Sequence, residues 1–305
     1  GLVGTYSRVC ANRAVSEADL VFFIGSPGGG HVTHDWRVPA PGVTVIQIDI
    51  DPAELGRNYP NAVSILGDAK ITLQRLIETV QRKSPDAAKA WTGRVTQLVD
   101  EWRTEVDRMR KSDATPIRPE RLCRAITEVL PPNGVVVSDT GHAGMWTGGM
   151  VEITHPGQRY IRCAGSLGWG FPGSLGVKCA LPDRPVICFT GDGGMYYHLA
   201  ELETAARYGI NVVVVVNNNT GLNQEIPLVD ALYGRGSTEG DDIWRFNKGV
   251  NFAKTAESLG CAGMRVEKPG ELKDALIRAM GMNRPVVVEV MTDEQALAPT
   301  AWTPK

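Results

Sequence analysis

Short runs of consecutive apolar residues alternate along the chain with stretches whose apolar positions recur every three or four residues. Runs of the first kind suit strands buried on both faces of a parallel sheet, and stretches of the second kind suit helices that cover those faces. Strands are predicted at Leu20–Ile24, Val43–Ile50, Val135–Ser138, Val186–Thr190, Val212–Val216, Gly263–Val266 and Val286–Val290. Helices are predicted at Ala69–Arg82, Pro119–Leu130, His198–Tyr208, Asn251–Leu259 and Glu271–Met280. No repeat or low-complexity segment interrupts the alternation. The expected fold class is α/β, with two parallel-sheet, three-layer domains, the first of them incomplete.

The pattern changes between Gln81 and Pro116, where Lys, Arg, Asp and Glu crowd around Trp91, Leu98, Trp102, Val106 and Met109. This stretch reads as a long surface helix joining two α/β domains, with boundaries at 1–82, 83–115 and 116–305; a peripheral helix of one domain is the alternative. The chain opens on Gly1-Leu2-Val3-Gly4, without an initiator Met, and reaches a core strand within twenty residues. A fragment, a processed chain or one half of a split protein is therefore expected.

Composition narrows the class of function. With 305 residues, 43% hydrophobic and 22% charged, the chain has the make-up of an ordinary soluble globular protein. Its net charge of −2 leaves no electrostatic footprint for nucleic acid, and no basic run suits an acidic membrane surface. Small-molecule chemistry is the better expectation. The six cysteines form no CxxC pair and read as buried thiols. Apolar runs such as Val212–Val216 are far too short to span a membrane, and no secretory leader opens the chain, so a cytoplasmic location is expected.

The chemistry concentrates at two predicted strand ends. Pro185 to Thr190 is a buried strand that runs into Gly191-Asp192-Gly193-Gly194, after which helical spacing begins. Small residues there let backbone N–H groups approach an anion at a helix N-terminus, the usual place for phosphate in α/β sheets. Asp192 would repel a diphosphate unless a hard cation lay between them, which points to Mg²⁺ or a similar ion with oxygen ligands. The next strand ends in Asn217-Asn218-Asn219-Thr220-Gly221 on the same sheet edge, so an Asn side-chain oxygen and a main-chain carbonyl can complete the metal shell.

A strand, Gly191-Asp192-Gly193, a helix, a second strand and Asn218-Asn219 at this spacing resemble the signature of thiamin-diphosphate enzymes. The resemblance implies metal ligands at Asp192, Asn219 and the Gly221 carbonyl. Val137 to Trp146 resembles the strand and turn of the acetolactate-synthase-like group that contacts the diphosphate, with His142 in place of the usual Gln and Ala143 in place of His. Gly165-Ser166-Leu167-Gly168-Trp169-Gly170-Phe171-Pro172 resembles the family segment that supports the bent cofactor, with Leu167 as the apolar wedge between its rings and the Gly165 carbonyl accepting from its amino group. Leu for the usual Met keeps size and polarity. Cofactor contacts are thus implied at Gly141, His142, Ala143, Gly165, Leu167, Asp192, Gly193, Gly194, Asn219, Gly221 and Leu222, on a thiamin-diphosphate-binding fold.

Upstream, Ala18 to Gly25, Val43 to Gly56 and Gly67-Asp68-Ala69 resemble the later half of the family's central domain, so the resemblance covers nearly the whole chain. It stops at the flavin-associated segment of acetolactate synthases, where Ser26-Pro27-Gly28-Gly29-Gly30-His31 stands instead, and no tightly bound FAD is expected. Those glycines do not fit a GxGxxG dinucleotide loop in register. The family acts on 2-oxo acids, by decarboxylation or carboligation, and needs an activating glutamate from an N-terminal pyrimidine-binding domain of a neighbouring subunit. The resemblance implies that this chain lacks that domain, works in a homo-oligomer and is inactive alone. Glu225 lies six residues after Asn219, where decarboxylase-like members place a proton-relaying Glu, and is the candidate general acid; a surface or helix-capping role is its alternative. A non-catalytic cofactor-binding or regulatory homologue is the alternative for the chain as a whole.

Overall fold

The structure is a computed structural model that describes residues 1–80, 85–163 and 165–304. It divides into two compact units, residues 1–106 with 300–305, and residues 107–299. The end of the helix expected at Ala69–Arg82 lies partly outside the described residues; the observed helix is Ala69–Thr79, started by the Asp68 carboxylate accepting from Ile71 N at 3.0 Å. A 26-residue helix, Pro85–Arg110, occupies most of the charge-rich stretch.

The first unit holds a three-stranded parallel sheet in the order β1 (Leu20–Ile24), β2 (Thr44–Asp49), β3 (Val63–Leu66). Its central strand carries the burial, with Val45 and Ile48 shielded from solvent. β3 escapes the sequence pattern because it is four residues long, lies at the sheet edge and exposes Val63 and Leu66, so no buried face imposes a periodicity.

The second unit is built on a six-stranded, wholly parallel sheet: β4 (Val135–Ser138), β5 (Arg159–Arg162), β6 (Val186–Gly191), β7 (Val213–Asn218), β8 (Ala262–Val266) and β9 (Val286–Met291). The spatial order is β5-β4-β6-β7-β9-β8. β4, β6 and β7 are buried almost end to end, which is why they read as continuous apolar runs. Val135, Val137, Cys188, Val214, Val216 and Val287 from the strands pack with Phe171, Leu175 and Phe252 from the helices. β5, with Arg159 and Arg162 at its ends, is an edge strand whose polar residues hid it.

The helices depart from expectation in instructive places. The helix expected at His198–Tyr208 is observed at Glu201–Tyr208, and a helix not expected, Asp192–Tyr197, starts inside the Gly191-Asp192-Gly193 turn itself and ends at His198, where φ is −133°. Gly170–Ala180 is a helix despite four glycine and proline positions in its first seven residues, because Pro172 falls in the first turn, where no intrahelical N–H is needed. Four cysteines, Cys10, Cys123, Cys188 and Cys261, are buried as expected, whereas Cys163 is half-buried and Cys179, near the end of that helix, is exposed. No helix among the described residues is long and apolar enough to cross a membrane.

From β4 the chain first adds β5 on one side and then returns to add β6 on the other. The order therefore reverses between β4 and β6, and the crevice outside the carboxyl ends of these two strands is where open parallel sheets bind ligands.

Candidate functional site

β6 delivers Asp192 to that crevice, with Gly191 as the residue preceding its helix. Asp192 is 3% exposed, and its Oδ1 accepts from Gly193 N at 2.8 Å while Oδ2 accepts from Gly221 N at 3.0 Å. The ends of β6 and β7, expected to form one site, are thus joined by a hydrogen bond. Burial pushes the Asp192 carboxyl up to about 7, against the opposing pull of the Gly193 and Gly221 amides. A carboxylate this costly to desolvate gains from a bound cation.

The neighbouring asparagines divide into two kinds. Asn218 is fully used: its Nδ2 donates to Glu289 Oε1 at 2.7 Å and its Oδ1 accepts from Thr220 N at 3.1 Å. Asn219 is equally buried, yet its Oδ1 has no hydrogen-bond partner, and the Asn217 Oδ1 is unpartnered too. Thr220 then takes a left-handed φ of 58°, and Gly221 follows where an added Cβ would lie 2.8 Å from the Trp244 backbone oxygen. Leu222 N donates to the Trp244 carbonyl and Phe246 N to the Thr220 carbonyl, each at 2.8 Å, which anchors the turn. A carboxylate, a spare amide oxygen and a glycine-rich turn form a hard-oxygen donor set, and that set fits Mg²⁺.

Close packing explains Gly193 and Gly194, whereas Gly191 has open space where a Cβ would stand. A Cβ on Gly193 would lie 2.5 Å from Leu222 Cδ2, and one on Gly194 would lie 2.6 Å from Thr190 Oγ1 and 2.8 Å from Asp139 Oδ2. Both meet neighbours that leave room only for backbone, the condition for an anion to be approached by N–H groups.

On the β4 side, Gly141 has φ 65° and precedes the helix His142–Met150, whose first amides have no intrahelical acceptor. Ala143 is buried, and its carbonyl accepts from Thr147 Oγ1 at 2.8 Å. The His142 Nδ1 is buried without a partner, and desolvation pushes the imidazole down to about 4. A Cβ on Gly141 would stand 3.0 Å from Gln224 Oε1, so Gln224 is the side chain of the 223–225 turn that approaches this loop. Glu225, the sequence candidate for acid chemistry, is half-buried at the end of the same turn.

Asp139 was not singled out from the sequence, and it organises the crevice. It is 1% exposed and accepts from Thr140 N at 2.7 Å, Gly168 N at 3.0 Å, Gly170 N at 3.2 Å and Thr190 Oγ1 at 3.1 Å. One carboxylate thereby clamps the loop after β4, the segment that carries Leu167 and the end of β6. Gly168, at φ 90°, fixes the residue after half-buried Leu167, while Gly165 is exposed. The available signal was a carboxylate ending an apolar strand, where desolvation demands several donors.

A family model described as "Thiamine pyrophosphate enzyme, C-terminal TPP binding domain" matches residues 139–290, and one described as "Thiamine pyrophosphate enzyme, central domain" matches residues 1–76. The chain is 33% identical over 301 residues to the "Acetolactate synthase large subunit" of Haemophilus influenzae, covering 96% of this chain and 51% of that protein. It is 31% identical over 307 residues to the "Probable acetolactate synthase large subunit" of Methanocaldococcus jannaschii, covering 98% and 50% respectively. The chain spans about half the length of the curated relatives it matches.

Proposed function

This chain belongs to the thiamine pyrophosphate enzyme family, and from that premise we propose that it binds thiamin diphosphate with Mg²⁺ and serves an acetolactate-synthase-like carboligase or decarboxylase acting on 2-oxo acids. The observation that carries the reading is the unpartnered Asn219 Oδ1, two residues before the amide that Asp192 holds. In this reading residues 1–82 are the later part of a central domain, 83–115 a helical connector and 116–305 the diphosphate side, in a cytoplasmic homo-oligomer.

Bound thiamin diphosphate supplies a carbanion for attack on the 2-oxo acid and a sink for the electrons released on decarboxylation. The protein's own groups do the holding. Asp192, Asn219 and the Gly221 carbonyl take the cation, and the amides around Gly193, Gly194, Gly141, His142 and Ala143 face the diphosphate. Leu222, packed on Gly193, walls the site, and Leu167 with the Gly165 carbonyl orients the rings. Glu225 would serve on the substrate side, as a carboxyl able to move a proton. The carboxylate that activates the cofactor belongs, in this proposal, to a separate N-terminal pyrimidine-binding domain or subunit.

Calorimetric titration of the 305-residue chain with thiamin diphosphate tests the binding half. Heat of binding should appear with Mg²⁺ and largely vanish after chelation, and equal binding in both conditions would refute the metal set. Pyruvate turnover tests the other half. The chain alone should turn over negligibly and gain activity when the N-terminal domain is supplied, since acid–base assistance alone is worth about 10²–10⁴-fold. Robust acetolactate formation by the isolated chain would overturn the division of labour.

A further inference from the structure

β9 is a run of buried valines broken by one carboxylate. Val286, Val287, Val288 and Val290 are shielded from solvent, and Glu289 among them is 0% exposed. Its Oε1 accepts from Asn218 Nδ2 at 2.7 Å and from Arg265 Nη1 at 3.3 Å, and its Oε2 accepts from Ala253 N at 3.3 Å. Glu289 lies fully inside while Arg265 reaches it from the surface and also pairs with Glu267 at 2.8 Å. A carboxylate buried in this way is a weak source of stability, because an apolar residue of similar volume often serves as well. Something other than core cohesion has to account for it.

The contacts lead to the metal-side turn. Glu289 stands opposite Val216 in the β7–β9 register, two residues before Asn218, and holds the Asn218 amide nitrogen. That grip leaves the Asn218 Oδ1 directed at Thr220 N, where the chain enters a left-handed conformation that a β-branched residue adopts only under strain. Strain of this kind persists only where neighbours over-determine it. Immediately after it, Gly221 N reaches Asp192, and immediately before it, Asn219 keeps a spare oxygen.

We infer that Glu289, charge-balanced by Arg265, is a positioning residue that sets the Asn218–Gly221 turn and so presents Asn219 and Gly221 to the cation. The identity of the ligand rests on the function proposed above; the control of the turn does not. Partners one step behind metal ligands typically govern affinity by about 10–100-fold.

The experiment compares the full chain with Glu289→Gln, Glu289→Met and Arg265→Met. Hydrogen exchange at the Thr220 and Gly221 amides is read without metal, together with the thermal midpoint and the Mg²⁺ concentration that half-saturates thiamin diphosphate binding. Glu289→Met should speed exchange at both amides and raise the Mg²⁺ requirement by about 10–100-fold. Glu289→Gln keeps an acceptor for Asn218 and should recover part of both effects, as should Arg265→Met, which leaves the carboxylate in place and serves if Glu289→Met does not fold. Unchanged exchange and unchanged Mg²⁺ requirement, with only the thermal midpoint lowered, would overturn the inference. A wild-type chain that fails to bind cofactor would overturn the proposed function instead, and the exchange data would still decide the role of Glu289.

Discussion

Each unit ends a central parallel strand in a buried acidic residue, and the two ends treat their polar groups in opposite ways. In the first unit Asp49 closes β2, and its Oδ1 accepts from Asp51 N at 3.1 Å; Asp51 in turn accepts from Ala53 N at 2.8 Å. Gln47, two residues earlier, spends its amide on the Ser26 and Glu54 carbonyls and its oxygen on Gly56 N. In the second unit the ends of β6 and β7 hold Asp192, with its carboxyl pushed up to about 7, and leave the Asn219 and Asn217 oxygens without partners. A strand end that satisfies itself is a turn. One that buries polar atoms and leaves them unmatched has acceptors to offer a ligand, and holding them so is costly, because an unmade buried hydrogen bond costs about 1–3 kcal/mol.

Exchanging the two carboxylates for alanine gives the largest contrast. Asp192→Ala should abolish the Mg²⁺-dependent part of thiamin diphosphate binding in a calorimetric titration. Asp49→Ala should leave binding intact and lower stability by about 1 kcal/mol in urea unfolding, the worth of a turn hydrogen bond. Comparable loss of binding in both variants would erase the distinction between the two strand ends.

A finer contrast lies within the second unit, between adjacent asparagines. Asn219→Ala removes an atom with no protein partner, so the urea midpoint should hold while the Mg²⁺ requirement rises. Asn218→Ala strips a donor from buried Glu289 and should cost about 1–3 kcal/mol of stability. Equal loss of stability in the two variants would mean that the Asn219 oxygen is not spare.

The last effect expected is a pH dependence from His142. Burial holds its folded pKa at about 4, below the ordinary 6.5, so between these values the unfolded chain binds a proton that the folded chain refuses. The stability contributed by this residue is present above about 6.5, declines as pH falls through that window and is gone below about 4. Urea midpoints measured across the window should fall less steeply for His142→Gln than for the parent chain; identical slopes would place the ring in solvent.

Much of this was legible in the chain itself. The buried strands of the second unit announce themselves because a parallel sheet covered on both faces leaves no polar period, and the Gly191-Asp192-Gly193 and Asn218-Asn219 motifs are local patterns attached to such strands. β3 and β5 were not legible, since four-residue edge strands bury too little to impose a pattern. The helix Asp192–Tyr197 was missed for a different reason: it is six residues long and starts inside the glycine motif, too short to show an apolar period.

By itself, then, the sequence determined the α/β class, the central strands and the carboxylate, amide and glycine residues gathered at the two strand ends, because burial and backbone approach write themselves into short stretches of chain. Tertiary structure alone decided which of two neighbouring asparagines is spent and which is spare. It also decided that Asp139 ties the loop after β4 to the Gly168–Gly170 segment and to the end of β6, and that Glu289 stands behind the Asn218–Gly221 turn. Those assignments depend on partners 24 to 71 residues distant, such as Gly168, Thr190, Arg265 and the Asn218–Glu289 pair. Hydrogen-bond satisfaction in a desolvated interior is a property of the folded neighbourhood, and no local pattern of residues encodes it.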